Sequence, residues 1–340
     1  MEGVRWAFRC GSWVPTRSEW TLAARCVQQE EKERIAQFVF AKDAKSAMAG
    51  RLLIRKLVCE KMGLAWDGFR LERTARGKPF LPRTSSTPGV THWNFNVSHQ
   101  GDYAVLAGEP GRQVGVDVMK TSRPGSSSVQ EFFRIMNRQF TDLEWRNIRK
   151  AGSDWDQLDM FYRHWALKES FIKAIGTGLG FDLQRVEFHI SPNQMREGQV
   201  YRQTRMYLDS EAEDWTFEES LLDKDHHVAV ALGKPDISTA GEDGGTVCEA
   251  PPLSFTLLSF SDLMSKATPL LEEDPAYWER FQSKKGKANI QQAISSVCLR
   301  GPAFNKSLLF RRSRDGGPAG AKMEFRLAVA TDALQKHTNM

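Results

Sequence analysis

The sequence has few cysteines and no long hydrophobic run. Its five cysteines are odd in number, widely spaced and never form a CxxC pair, which argues against a disulfide framework and a structural zinc site. No apolar stretch approaches the roughly 20 residues of a membrane-spanning helix, and no early apolar block follows a basic flank. We therefore expect a cytosolic protein with no membrane partner.

The main part of the chain also lacks an excess of positive charge. The formal net charge is +5, but residues 283–340 carry 11 Lys and Arg against 3 Asp and Glu, so residues 1–282 sum to −3. A general electrostatic surface for nucleic acid is therefore not expected. Residues 283–340 show no sustained hydrophobic period, and we expect a disordered basic tail there.

The sequence is rich in apolar and aromatic residues, with 41% hydrophobic residues, 10 Trp and 20 Phe, which is typical of a globular protein. Its periodicities predict an α+β fold. A helix, a glycine, several strands and a closing apolar strand occur in that order twice, ending in YAVLA and in VAVAL. This order predicts two similar subdomains related by a pseudo-twofold axis, each a small antiparallel sheet packed with a long helix.

The predicted subdomains cover residues 1–115 and 116–235. A C-terminal extension, residues 236–282, is expected to pack partly on the body, and the chain is expected to be monomeric, with a ligand cleft between the halves. Local signals predict a helix that is capped at Asp43 and ends at Gly63, and a strand at residues 69–73.

One helical stretch, HWALKESFIKAIG at residues 164–176, combines apolar periodicity with charge. Large apolar residues recur every three to four positions, which predicts a helix with one buried face. Glu169 and Lys173 are four residues apart and lie on one face, with Lys168 beside them. Such a pair is usually a solvated ion pair. A second acidic group and phosphate-binding residues elsewhere would favour a functional site instead.

A second acidic group, Asp117, lies in the apolar strand VGVDVM at residues 114–119. A strand that is apolar on both faces is buried, and a buried Asp needs a partner. Mg²⁺ is one candidate, because it is commonly held by one or two carboxylates with substrate phosphates and waters. A helix cap and a salt bridge are the alternatives.

A basic turn, RTARGKP, places Arg73, Arg76 and Lys78 around Gly77. Arginine offers a forked donor and lysine a point charge, and glycine lets the backbone approach an anion closely. The turn therefore suits a phosphate, although a solvated basic turn is the alternative.

A polar strand end follows in NVSHQG, where Asn96, Ser98 and His99 gather. Their amide, hydroxyl and imidazole groups suit a phosphate or a nucleotide, and a hairpin held by its own side chains is the alternative.

Taken together, RTARGKP, FNVSHQGDYAVLA, VGVDVM and WALKESFIKAIGTGLG resemble the motifs of the 4′-phosphopantetheinyl transferases, and the resemblance covers residues 1–282. It implies an enzyme, a holo-[acyl-carrier-protein] synthase, that transfers the phosphopantetheine arm of coenzyme A to a carrier serine and releases adenosine 3′,5′-bisphosphate. The implied partners are the acyl carrier domain of a fatty acid synthase and carriers of the aminoadipate-semialdehyde dehydrogenase type, which act in lysine degradation.

The resemblance also implies roles for individual residues. Asp117 and Glu169 would hold Mg²⁺ on the pyrophosphate of coenzyme A, and either Glu169 or a metal-bound water would take the serine proton. Lys173 would stabilise the departing phosphate. The remaining implied contacts to coenzyme A are Arg34, Arg73, Arg76, Gly77, Lys78, Asn96, Ser98, His99 and Lys168.

Bacterial relatives often carry a second acid two residues after the first, where this chain has Met119, so we expect water at that position of the metal. The alternatives to the enzyme are a coenzyme A or nucleotide-binding module without transfer activity and a basic nucleic-acid binder.

Overall fold

The structure, a computed structural model, describes residues 2–75, 77–82, 93–235 and 251–285. Arg76 and all but the first three residues of the predicted tail lie outside the described residues. No helix in the described ranges is long and apolar enough to cross a membrane.

Eight α-helices lie in these ranges: α1 Arg17–Arg25, α2 Gln29–Ala36, α3 Ala41–Met62, α4 Val129–Ile135, α5 Asp142–Arg149, α6 Asp154–Ile175, α7 Phe260–Met264 and α8 Pro275–Gln282. The two longest, α3 and α6, have 22 residues each and end at Gly63 and Gly176, both with φ of 70°. Glycine adopts this left-handed conformation without the cost of a Cβ, so the predicted end at Gly63 is confirmed.

The predicted helix cap at Asp43 is wrong. Phe40 occupies the N-cap position of α3, and Asp43 lies in the first turn. A carboxylate is favourable in either place, because both lie beside the unpaired N–H groups and the positive end of the helix dipole. The residue type therefore did not distinguish the two positions.

Twelve strands lie in the described ranges: β1 Val4–Phe8, β2 Glu72–Arg73, β3 Pro79–Phe80, β4 Trp93–Gln100, β5 Tyr103–Pro110, β6 Arg112–Lys120, β7 Val186–His189, β8 Arg205–Leu208, β9 Glu211–Glu213, β10 Thr216–Asp223, β11 His226–Pro235 and β12 Thr256–Leu258. The strand predicted at residues 69–73 is therefore confined to its last two residues. They pair with β3 as a short hairpin.

The two larger sheets have the same internal order. In the first, β1 pairs antiparallel with β5 and β5 with β4, and α3 packs on the sheet. In the second, β6 pairs antiparallel with β11 and β11 with β10, and α6 packs on the sheet. β12 adds a parallel strand beside β1. The α+β class is confirmed, whereas the subdomain boundary near residue 115 stays a prediction.

β6 is buried on both faces, as predicted for residues 114–119. Val116 and Val118 on one face join Val105 and Ala107 of β5 in an apolar layer between the two sheets. The opposite face packs against α6, where Met119 joins the core around that helix. Asp117 therefore lies in the interior, as predicted, and its charge must be partnered there.

The segment 251–285 packs on the first sheet and its helices. β12 lies beside β1, and the aromatic rings of α8 stack on Trp20 of α1, with centroid distances of 3.9 Å for Phe281 and 6.0 Å for Tyr277. Backbone hydrogen bonds join Lys285 to Val39 and Ala41 at 3.1 and 3.0 Å. This segment therefore covers the aromatic core of the N-terminal part.

Gly115 allows α6 to approach β6 closely. A Cβ atom at Gly115 would lie 2.0 Å from the carbonyl oxygen of Ser170 and 2.4 Å from the amide nitrogen of Ala174. Both atoms belong to the helix backbone and have little freedom to move away. The absence of a side chain at residue 115 therefore sets the distance between the strand that carries Asp117 and the helix that carries Lys173.

We predict that Gly115→Ala lowers the free energy of unfolding by about 3 kcal/mol, because the methyl group forces the helix and strand apart. Gly180→Ala is the matched control, since a Cβ there meets nothing within 4 Å, and its effect should stay within about 0.5 kcal/mol. Urea unfolding of both variants measures the difference. Equal stability of the two variants would contradict the close approach.

Candidate active site

Three predicted site residues meet where β4, β6 and α6 converge. The Asp117 Oδ1 atom accepts a hydrogen bond from Ser98 Oγ at 2.7 Å and one from Lys173 Nζ at 2.6 Å, and Lys173 Nζ also donates to Ser98 Oγ at 2.7 Å. Of the partners predicted for the buried Asp117, the salt bridge is therefore present.

Side chains of β4 hold β6 in register. The Asn96 Oδ1 atom accepts a hydrogen bond from Val116 N at 3.0 Å, and the Gln100 Oε1 atom accepts one from Lys120 N at 2.6 Å. Ser98 lies between these two anchors on the same face of β4. Asn96, predicted to bind coenzyme A, thus also ties β6 to β4. Gln100 was missed, although its alternation with Asn96 and Ser98 was visible in the sequence.

The second oxygen of Asp117 bears on the metal prediction. Its Oδ2 atom is buried and has no hydrogen-bond partner among the described residues, which is costly for a carboxylate. A divalent cation would satisfy this oxygen. Glu169 is buried on α6 one turn before Lys173, so the two carboxylates suit the site on chemical grounds.

Two carboxylates alone do not complete the coordination of Mg²⁺. No group of three or more His, Cys, Asp or Glu residues is placed to hold a metal in the part of the chain that the structure describes. Met119 lies in the apolar core beside α6. A pair of carboxylates completed by phosphate oxygens and water is a donor set that Mg²⁺ commonly uses.

The basic turn reaches the same helix end. Gly77, with φ of 79°, closes a turn in which its N–H donates to the Thr74 carbonyl oxygen at 2.8 Å. The ammonium of Lys78 donates to the carbonyl oxygen of Lys173 at 3.2 Å. Burial lowers the pKa of Lys78 below its usual value. The turn therefore brings a lysine next to the Asp117 and Lys173 pair.

The two other predicted arginines meet at a carboxylate that the sequence did not indicate. Arg34 and Arg73 both bind Glu31 of α2, with ion-pair distances of 2.9 and 2.8 Å, and Arg51 of α3 lies 3.5 Å from the same carboxylate. Burial acts to raise the pKa of Glu31, but Arg51, Arg34 and Arg73 outweigh it and hold the pKa below its usual value. Glu31 is therefore ionised among three cations.

Lys168 lies apart from these groups. It is fully buried, and its Nζ donates to the carbonyl oxygens of Leu183 and Val186, each at 2.7 Å, and pairs with Glu144 at 2.8 Å. These partners account for all three donors of the ammonium. The structure thus does not bring Lys168 to the predicted phosphate cluster. His99 follows Ser98 on β4 and is half-buried.

We predict that Lys168→Met lowers the free energy of unfolding by about 3–5 kcal/mol, because Glu144 is left as a buried charge without its partner. The double variant Lys168→Met with Glu144→Gln should regain part of this loss. Lys266→Met, at an exposed position, is the control and should change stability by less than about 0.5 kcal/mol. If denaturant unfolding gives Lys168→Met the same small effect, the ammonium is not held as described.

Two models of known protein families match consecutive parts of the chain. The family model described as 4′-phosphopantetheinyl transferase, N-terminal, matches residues 11–111, and that of the 4′-phosphopantetheinyl transferase superfamily matches residues 113–231. L-aminoadipate-semialdehyde dehydrogenase-phosphopantetheinyl transferase of Xenopus laevis is 61% identical over 286 residues, which is 84% of this chain and 93% of the relative. The Homo sapiens protein of the same name is 60% identical over 83% of this chain and 91% of its own.

A more distant relative, the 4′-phosphopantetheinyl transferase of Bacillus subtilis, is 31% identical over 157 residues, covering 46% of this chain and 63% of its own length. The matches to the two family models together span most of the described body, and the animal relatives extend over nearly all of it. The chain therefore belongs to the 4′-phosphopantetheinyl transferase superfamily.

Proposed function

We propose that the protein transfers the 4′-phosphopantetheine moiety of coenzyme A to a serine of acyl or peptidyl carrier domains, converting the apo form to the holo form. The observation that carries this proposal is the buried Asp117, whose Oδ1 is paired with Lys173 and whose Oδ2 has no described partner. A phosphate-bearing ligand with a divalent cation would satisfy this oxygen and engage the lysine at once. The product besides the holo carrier is adenosine 3′,5′-bisphosphate.

The cationic side chains around the site bind the phosphates of coenzyme A. Arg34 and Arg73 contribute guanidinium groups, whose positive charge and N–H donors favour phosphate oxygens, and Lys78 lies beside Lys173. Gly77 and Arg76 complete the basic turn. Within this proposal, the residues that take the nucleotide part are the ones predicted from the sequence: Ser98 and His99 for the 3′-phosphate, and the basic turn around the nucleotide.

Asp117 and Glu169 are the residues that would hold Mg²⁺. A magnesium ion bound there would neutralise the negative charge that develops on the pyrophosphate as its bond breaks. Lys173 contributes positive charge from the protein side, since its ammonium lies 2.6 Å from Asp117 Oδ1.

The transfer itself requires one proton acceptor and one stabilised leaving group. In our proposal Glu169 takes the proton of the carrier serine as the serine oxygen forms a bond to the β-phosphorus of coenzyme A. The bond from that phosphorus to the bridging oxygen breaks, and its electron pair stays on adenosine 3′,5′-bisphosphate. Lys173 stabilises the negative charge on that departing phosphate.

Two carrier types follow from the resemblance and from the names of the relatives. The animal relatives are named for aminoadipate-semialdehyde dehydrogenase, so we propose a carrier of that type, in lysine degradation, and the acyl carrier domain of fatty acid synthase as substrates. We further propose that the protein acts in the cytosol as a monomer.

Glu169→Gln should reduce transfer at least 100-fold, because the amide cannot accept the proton and lacks the charge that would hold Mg²⁺. The dissociation constant for coenzyme A in the absence of Mg²⁺ should change by less than about threefold, because the amide keeps the size of the side chain. Loading of a fluorescent coenzyme A analogue onto an apo acyl carrier protein with Mg²⁺ measures transfer, and calorimetry measures binding. Glu279→Gln, at an exposed position of α8, is the control and should transfer at the wild-type rate.

Two results would contradict this proposal. A near-normal transfer rate for Glu169→Gln would remove Glu169 from the chemistry. Binding of coenzyme A by the wild-type protein without any transfer, with Mg²⁺ present, would favour the binding module instead. Addition of EDTA to the wild-type reaction should abolish transfer.

Asp117→Asn should abolish the additional rise in melting temperature that Mg²⁺ gives to the complex with coenzyme A, because the amide lacks the charge that holds the cation. We expect Mg²⁺ to raise the melting temperature of the wild-type complex with coenzyme A by several degrees beyond coenzyme A alone. The variant should show no such addition. Differential scanning fluorimetry measures both, and an equal magnesium effect in the variant would exclude Asp117 as a ligand.

A further inference from the structure

The Glu31 carboxylate is surrounded by three guanidinium groups, and the exposed fraction differs among their side chains. The side chain of Arg51 is 9% exposed, that of Glu31 10%, that of Arg34 17% and that of Arg73 25%. Arg51 is therefore as deeply buried as the carboxylate, and Arg34 and Arg73 lie on its more exposed, outer side. We call these four residues the Glu31 cluster.

The two outer arginines are held in a defined orientation. Arg34 donates to Glu31 Oε2 through Nε at 3.0 Å and through Nη2 at 2.9 Å. Arg73 donates through Nε to Oε1 at 2.9 Å and through Nη2 to Oε2 at 3.0 Å. Two hydrogen bonds along one edge fix the plane of each guanidinium. A single carboxylate thus orients both side chains at once.

The inner arginine keeps this carboxylate charged. Arg51 Nη1 lies 3.5 Å from Glu31 Oε1, and the Nε and Nη1 atoms of Arg51 have no hydrogen-bond partner among the described residues. Burial lowers the pKa of Arg51 to about 9, so the group stays protonated at neutral pH. The cluster holds three positive charges and one negative charge, and this excess favours an anion at its outer side.

The same helix region fixes the backbone that carries Arg73. Gln28, which precedes α2, accepts a hydrogen bond from Leu71 N at 2.8 Å and donates to Leu71 O at 3.1 Å. Arg73 in turn donates through Nη1 to the carbonyl oxygen of Gly77 at 2.8 Å. Side chains at the start of α2 therefore hold the segment before the basic turn and the arginine that braces the turn.

We propose that Glu31 is a positioning residue that keeps Arg34 and Arg73 converged for a phosphate group of coenzyme A, and that the buried Arg51 supports Glu31. This inference rests on the proposed function. Without the carboxylate, three like charges lie within a few ångströms of one another and repel, so the outer side chains separate. Phosphate binding must then order two long side chains that the carboxylate orders in the wild-type protein. The cost is on the order of fivefold in affinity for each side chain.

Glu31→Gln has a second effect on anion binding that acts in the opposite direction, so the sign of the change in affinity tests the proposal. Removing a negative charge raises the positive potential of the surface, which by itself strengthens the binding of an anion. That gain is screened by salt at partly exposed groups, whereas the loss of orientation is not. We therefore expect Glu31→Gln to weaken the binding of phosphate ligands although the site becomes more positive.

The experiment compares Glu31→Gln with Glu33→Gln, an exposed neighbour on α2. Calorimetry gives the dissociation constant for adenosine 3′,5′-bisphosphate, and the carrier-loading assay gives KM for coenzyme A and kcat. In Glu31→Gln the dissociation constant and KM should rise about tenfold, which is the roughly 25-fold loss from two disordered side chains reduced by the electrostatic gain, while kcat stays within twofold. Glu33→Gln should match the wild type. Glu31→Asp, which keeps the charge on a shorter side chain, should give an intermediate rise and covers the case in which Glu31→Gln does not fold.

The outcomes separate the possible roles. An unchanged or lower KM and dissociation constant would overturn the proposal, since the carboxylate would then act only as a countercharge. A fall in melting temperature and kcat with unchanged binding would also overturn it and leave a structural role. If the wild-type protein binds adenosine 3′,5′-bisphosphate but transfers nothing, the proposed function fails, and the calorimetric comparison still decides the role of Glu31.

Discussion

A helix can approach a strand as closely as α6 approaches β6 only where the strand has no side chain. Gly115 provides that position, because any Cβ there would meet the backbone of α6 at 2.0 Å. The candidate active site depends on this contact. It places Lys173 Nζ 2.6 Å from Asp117 Oδ1, and it encloses the strand between the helix and the apolar layer that joins the two sheets. The charge of Asp117 is therefore confined to a place where a cation must accompany it.

A continuous series of contacts connects this pair to the arginines of the N-terminal part. Glu31 binds Arg73, Arg73 binds the carbonyl oxygen of Gly77, and the adjacent Lys78 binds the carbonyl oxygen of Lys173. The basic turn thus lies between an excess of positive charge at the Glu31 cluster and the Asp117 Oδ2 atom, which has no hydrogen-bond partner among the described residues. A ligand with several phosphates and a bound divalent cation has the complementary charges in the same order.

Local patterns predicted much of the fold and less of the site. Hydrophobic periodicity predicted the helix at residues 164–176, local signals predicted the end of α3 at Gly63, and the apolar strand indicated that Asp117 is buried. The Glu31 cluster was not predictable, because Glu31 lies in a charged run that is typical of a solvent-exposed helix. It contacts Arg51 of α3 only through tertiary packing. The strand expected at residues 69–73 is shorter because a side chain, Gln28, takes the hydrogen bonds of Leu71.

Lys168 and Lys173 of α6 differ in whether the described protein groups already satisfy their ion pairs. Consecutive helical residues point about 100° apart, so Lys168 faces away from Glu169, toward Glu144 and two carbonyl oxygens that take all its donors. A ligand can add nothing to it. Lys173 is 23% exposed and is paired with a carboxylate whose other oxygen has no described partner. Phosphate and cation would complete this second pair, which is why we propose Lys173 and Asp117, and not Lys168, for the active site.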